Sequence, residues 1–234
     1  MAKAQSCTVS RSTTGSGEQQ TPSEYSYQGG QLREIRTESD GRSFRAVFTY
    51  NTQGRPDSVR LTPGKSYLKH VYAPDGRLQR IEAGGSYLPR RFTYNDQGRI
   101  SRQEAWLNNQ VFASMEYDYD QSDNPVTVKV LDKAGKPEYT VALKYDDKPN
   151  PARHTSALHN PLELLYGYPV GNAKNNLVEA VTTYHQKTAY KVNGKHLEAG
   201  TQDKALLEYT YNENGYPIGS KANGEQASWT YTCQ

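Results

Sequence analysis

One unit recurs along this chain and limits what it can fold into more than any other feature. It consists of two aromatics at i and i+2, then Asn or Asp, a short polar run, Gly, often Arg, and an aliphatic residue or Pro. Phe92-Thr93-Tyr94-Asn95-Asp96-Gln97-Gly98-Arg99-Ile100 is the clearest copy, and Phe48-Thr49-Tyr50-Asn51-Thr52-Gln53-Gly54-Arg55-Pro56 repeats it. Weaker copies begin at Tyr25, His70, Tyr117 and Tyr209. The second aromatics Tyr27, Tyr50, Tyr72, Tyr94 and Tyr119 follow one another at spacings of 23, 22, 22 and 25 residues. A fixed period of this kind marks a repeat architecture.

The physics of the unit is that of a hairpin. Aromatics at i and i+2 share one face of a strand. The Asn/Asp-x-x-Gly run opens a tight turn, and the glycine supplies its left-handed position. After the turn, Leu78 and Ile81 are three apart, as are Leu32 and Ile35. A flat strand would place such a pair on opposite faces, so a bulge beside each turn is expected. Each period then holds two strands of roughly 8–9 residues. The expected fold is all-β: an antiparallel meander of hairpins with roughly 14–18 strands, forming a large barrel or strongly curled sheet with a lumen.

Composition narrows this further. Leu, Ile, Val and Phe make up only about a sixth of the chain, a share that by itself suggests disorder. Nineteen tyrosines argue for a folded, aromatic-lined interior instead, since each buries a ring while keeping its hydroxyl bonded. A net charge of +3 is too mild to imply a nucleic-acid partner. No stretch approaches the roughly 20 apolar residues of a membrane helix. Strands such as Phe44/Ala46/Phe48/Tyr50 alternate with polar residues, which fits a barrel of either polarity, and the mean hydropathy of −0.93 favours the tyrosine face turned inward.

The whole of residues 1–234 reads as a single β-repeat domain. Residues 12–23, small and polar, read as a mobile loop. Between residues 146 and 176 the period is interrupted by an irregular insertion. Its segment His159-Asn160-Pro161-Leu162-Glu163-Leu164-Leu165 has the Asn cap and early Pro of a short helix. A long loop with its own helix is commonly a lid, plug or site.

Cys7 and Cys233 are the two cysteines and lie near opposite ends. If the first and last strands are neighbours, a disulfide between them would staple the ends together. The alternatives are two free thiols, or a lipidated Cys7 giving membrane association, for which Ala4-Gln5-Ser6 is a poor match to the usual apolar triplet.

Two features together resemble known families. The Tyr-x-Tyr-(Asn/Asp)-x-x-Gly-Arg unit is similar to the YD repeats of Rhs-type proteins. The Asn160-Pro161-Leu162 segment, the Asn175-Asn176 pair and the final run Trp229-Thr230-Tyr231-Thr232-Cys233 resemble a group of Gram-negative secreted or lipid-anchored proteins. That group carries a domain of unknown function described as porin-like. The resemblance implies a meandering barrel exported from the cytoplasm, to the periplasm or cell surface of a Gram-negative bacterium. It carries over no catalytic residues.

No cofactor or nucleotide fingerprint occurs, and the five histidines show no metal-ligand spacing. Asp118–Asn124 superficially resembles a calcium loop but has Asp123 where that loop needs Gly, so turn chemistry is the better reading. Arg55, Arg77 and Arg99 hold the same post-glycine position in consecutive repeats, and would form a rim ladder able to hold an anion or simply pack over the turns. The leading functional expectation is a non-enzymatic envelope protein that binds a small amphipathic or glycan ligand in a tyrosine-lined interior, with Tyr166 and Tyr168 of the insertion at the site. The alternatives are a structural or display shell, and a glycan hydrolase with its acids inside the barrel.

Overall fold

The computed structural model describes residues 7–17, 19–39, 41–150, 173–188, 192 and 194–233. Among the described residues, seventeen strands form one antiparallel sheet. They are β1 (Cys7–Ser16), β2 (Gln19–Gln28), β3 (Gln31–Ser39), β4 (Arg42–Tyr50), β5 (Pro56–Thr62), β6 (Tyr67–Tyr72), β7 (Leu78–Gly84), β8 (Arg90–Tyr94) and β9 (Ile100–Leu107), followed by β10 (Gln110–Tyr119), β11 (Pro125–Leu131), β12 (Pro137–Pro149), β13 (Asn175–Tyr184), β14 (Gln202–Leu206), β15 (Glu208–Tyr211), β16 (Pro217–Ala222) and β17 (Glu225–Cys233). Neighbours in sequence are neighbours in space, and β1 lies between β17 and β2, which brings the sheet round into a nearly closed barrel.

An antiparallel ring closes only with an even number of places. β14 and β15 reconcile the count, because they are successive halves of one strand separated by Leu207. β14 pairs back to β13 and β15 pairs forward to β16. The sheet is therefore offset at this seam.

The expected bulges are present. Register slips at Tyr27, Tyr50, Tyr72, Tyr94, Tyr119 and Tyr211, each time beside the repeat turn. The slip puts Leu78 and Ile81 on the same inner face, where both are buried. One inner cluster contains Leu32, Phe48, Val59, Leu68, Ile81 and Phe92. A second contains Tyr117, Val128, Val130, Val141 and Leu143, and Ile100 packs against both.

The outer wall is charged. Glu116 lies between Arg102 at 2.6 Å and Lys129 at 3.9 Å, and Glu179 between Lys144 at 2.7 Å and Lys204 at 2.6 Å. Glu34 pairs with Arg45 across β3 and β4. Charges across the middle of the wall are incompatible with a lipid-facing apolar band. The tyrosine face is turned inward.

Residues 12–23 are not a loop. Residues 12–16 belong to β1 and 19–23 to β2, joined near Gly17. Their polarity misleads because hydroxyls do the inward packing here: buried Ser12 bonds Tyr25 at 3.1 Å, and Ser23 bonds Thr37 at 2.8 Å. The insertion is also shorter than its 146–176 bounds, since β12 runs to Pro149 and β13 starts at Asn175. The expected helix at 159–165, with Tyr166 and Tyr168, lies outside the described residues.

Candidate functional site

The repeat turns, the base of the insertion and the two cysteines all lie at one end of the barrel. Asn95, like Asn51 and Asn212, builds its turn with its own side chain: the side-chain oxygen accepts the amides of Gln97 and Arg99, while the carbonyl accepts the Gly98 amide at 2.9 Å. Asp120 does the same with Ser122 and Asn124, so its carboxylate is a turn acceptor.

At this end the second tyrosine of each copy ties one hairpin to the one before. Tyr50 donates to the Leu32 carbonyl, Tyr72 to Pro56, Tyr94 to Leu78, Tyr119 to Ile100, Tyr145 to Pro125 and Tyr231 to Pro217, all at 2.6–2.8 Å. Each acceptor sits at the start of a strand, where the bulge interrupts the ladder and leaves a carbonyl in need of a donor. Tyr94→Phe removes one such bond while keeping the ring. It is expected to cost about 1–2 kcal/mol in chemical denaturation, because the Leu78 carbonyl loses its partner.

The repeat arginines lie over the same tyrosines. Arg55 covers the Tyr72 ring at 5.6 Å, Arg77 the Tyr94 ring at 5.2 Å and Arg99 the Tyr119 ring at 4.8 Å. Arg33 covers Tyr50 in the same manner, a member that its different spacing hides in the sequence. Arg77 also pairs with Asp75 at 2.6 Å, and Arg99 donates to the Asp120 carbonyl at 3.0 Å. A Cβ at Gly76 would collide with the Arg55 guanidinium, so the bare glycine is what lets that arginine cross the turn. Each of these arginine heads is laid against the next hairpin.

Tyr211 departs from the pattern and donates to the Asp146 carboxylate. Asp146 also accepts the Asn176 amide at 3.0 Å and the Lys148 amide at 2.9 Å. Buried Asn124 accepts the amides of Lys174 and Asn175. These groups fix the two strands from which the insertion departs. The Asn175-Asn176 pair thus has a structural role.

Cys7 and Cys233 are a register pair of β1 and β17 and are joined by a disulfide. A sulfur bonded in this way is not available for a thioether-linked lipid.

Among the described residues, an apolar recess lies at the opposite end, in the barrel mouth. It has a volume of about 440 Å³. Ile35, Ala46 and Leu61 form its floor, with Tyr25, Phe44 and Tyr87 around them. Hydroxyls of Ser23, Thr37, Ser66 and Ser86 line its edge. Phe44 is 44% exposed there and adds its ring to the apolar surface of the recess. The nearest charge, Arg45, is paired with Glu34. Such a surface suits a neutral amphipathic molecule. Nothing in the sequence marks it, because its residues come from five separate segments.

No protein-family model matches the chain, and no curated protein matches it. Among solved structures, a porin-like protein from Bacteroides uniformis aligns over 96% of this chain and 98% of its own, with TM-score 0.61 and 11% identity. A porin-like protein from Bacteroides vulgatus aligns over 96% and 99%, with TM-score 0.28 and 9% identity. The TcdB2-TccC3 structure aligns over 93% of this chain and 10% of its own, with TM-score 0.36 and 12% identity. The first likeness is one of fold, and the other two are too loose to bear on the argument.

Proposed function

We propose that this chain is an exported envelope barrel that binds a small, neutral amphipathic ligand in its mouth. The observation that carries the reading is the recess itself, with its apolar floor, hydroxyl edge and exposed Phe44. Export is supported by the Cys7–Cys233 disulfide, which persists in oxidising compartments. The porin-like fold is compatible with an envelope location, although the charged outer wall sets this barrel apart from a membrane-spanning one.

The test is native mass spectrometry of the protein purified from its own host. A non-covalent adduct is expected. Ala46→Trp, which fills the floor of the recess, should abolish it while the sheet stays folded. An adduct retained by the folded variant would refute the mouth as the site. A second reading, a structural or display shell, is favoured by the tyrosine row, whose hydroxyls bond the wall itself. Absence of any adduct from native material would favour that reading.

A further inference from the structure

A second recess lies between β7 and β9, beside the mouth. β7 and β8 pair through Arg80↔Arg91 and Ile81↔Arg90 and no further. Beyond these pairs the chain leaves β7: the Ser86 amide donates to the Ser66 hydroxyl at 3.3 Å, and the Trp106 amide donates to the Pro89 carbonyl at 3.0 Å. The strands part and leave a slot of about 450 Å³. Arg80, Arg90, Arg91 and Trp106 line it together with Glu82, and Asn108 and Asn109 lie at its end.

The charge here breaks the pattern of the rest of the wall. Elsewhere carboxylates lie between cations of adjacent strands, whereas Arg80 and Arg91 are directly opposite, an arrangement that is unfavourable in itself. Arg36 and Arg45 are also opposite, but each has its own carboxylate, Glu38 and Glu34. Arg80 has Glu82 at 2.8 Å. Glu104 is the register partner of Arg91 on β9, but it is held by Arg102 and by the Trp106 indole, each at 3.2 Å. Arg91 itself makes no ion pair among the described residues and lies 3.8 Å from the centre of the Trp106 ring. Two facing arginines against the one carboxylate of Glu82 leave this part of the slot positively charged.

We propose that this slot binds an acidic saccharide, its carboxylate held by Arg91, which Trp106 backs, and by Arg80. A planar guanidinium matches a carboxylate in bidentate fashion. The indole backs the Arg91 guanidinium and so reports on its occupancy, and the two asparagines supply amide donors and acceptors for the sugar hydroxyls. Burial holds the Arg90 guanidinium below its usual pKa, and a bound anion would favour its charged form. The slot shares Tyr87 with the mouth but does not require the mouth to be occupied.

The experiment uses the Trp229→Phe protein, in which Trp106 is the remaining tryptophan and reports by fluorescence. It is titrated with galacturonate and glucuronate trimers and with their methyl esters. The acidic trimers are expected to bind and to change the Trp106 emission, and the esters to bind at least tenfold more weakly. Arg91→Ala should weaken binding about tenfold or more, as loss of a charge-assisted pair does, and Arg91→Lys should restore part of it. Arg80→Gln provides an independent variant should Arg91→Ala fail to fold. Equal binding of acid and ester, no binding of either trimer, or unchanged affinity in the folded arginine variants would overturn the proposal. So would inorganic sulfate competing as well as the trimers, which would make the slot a simple anion site.

Discussion

Replacing Cys7 and Cys233 by alanine lowers the stability of the barrel by about 3–5 kcal/mol in the chain-entropy account. The bond spans 226 residues, so it removes nearly the largest loop this chain can form from its unfolded ensemble. It also acts where the ring is closed by its terminal strands, β1 against β17. For a chain of this length such a loss corresponds to a fall in Tm on the order of 10 °C. Thermal unfolding of oxidised, reduced and double-alanine protein, each verified by intact mass, measures it. A midpoint unchanged by verified reduction would mean that the β1–β17 ladder closes the ring by itself.

The parts of the fold that are legible in the sequence are those written by local chemistry. Asn95, Gly98 and the three-residue step from Leu78 to Ile81 specify a turn and a bulge wherever the unit occurs, and the hairpins follow from them. Cysteines close to both ends permit the disulfide as one option, and only the adjacency of β1 and β17 selects it. The stretch 12–23 is illegible because the hydroxyls of Ser12 and Ser23 find their partners on other strands, which looks like loop composition when read along one strand. Seventeen positions separate Arg55 from Tyr72, and nothing local says that they touch. The mouth and the slot are harder still, since both are gaps formed where ladders end, and an absence of pairing leaves no periodic mark. The same holds for the seam at Leu207, where a single residue shifts pairing from β13 to β16.

Raising the pH from about 10 to about 12 is expected to unfold the protein cooperatively, with the tyrosine row as the cause. Burial pushes Tyr72 and Tyr119 up to about 12, partly offset by Arg55 and Arg99 over their rings. Burial also raises Tyr50, Tyr94, Tyr145 and Tyr231 above the ordinary value. Each of these hydroxyls donates to a backbone carbonyl, a role that a phenolate cannot fill. A folded-state pKa above the unfolded one contributes stability that is fully present below about pH 10 and is lost as the pH rises through the folded value. A rise from about 10 to about 12 corresponds to about 2–3 kcal/mol, and halving it for partial exposure leaves about 1 kcal/mol per ring. Tyr72 and Tyr119 together then lose about 2 kcal/mol, and the other four rings add to this in the same direction, against a domain stability of only about 5–15 kcal/mol. Tyrosinate absorbance followed beside circular dichroism should show exposed rings ionising gradually near pH ~10, then a step in both signals. Lysines also lose their charge in this range, so the coincidence of the step in tyrosinate absorbance with the step in circular dichroism is what assigns the unfolding to the tyrosine row. Smooth ionisation of all nineteen tyrosines near their ordinary pKa with the sheet intact would show that the row does not hold the hairpins together.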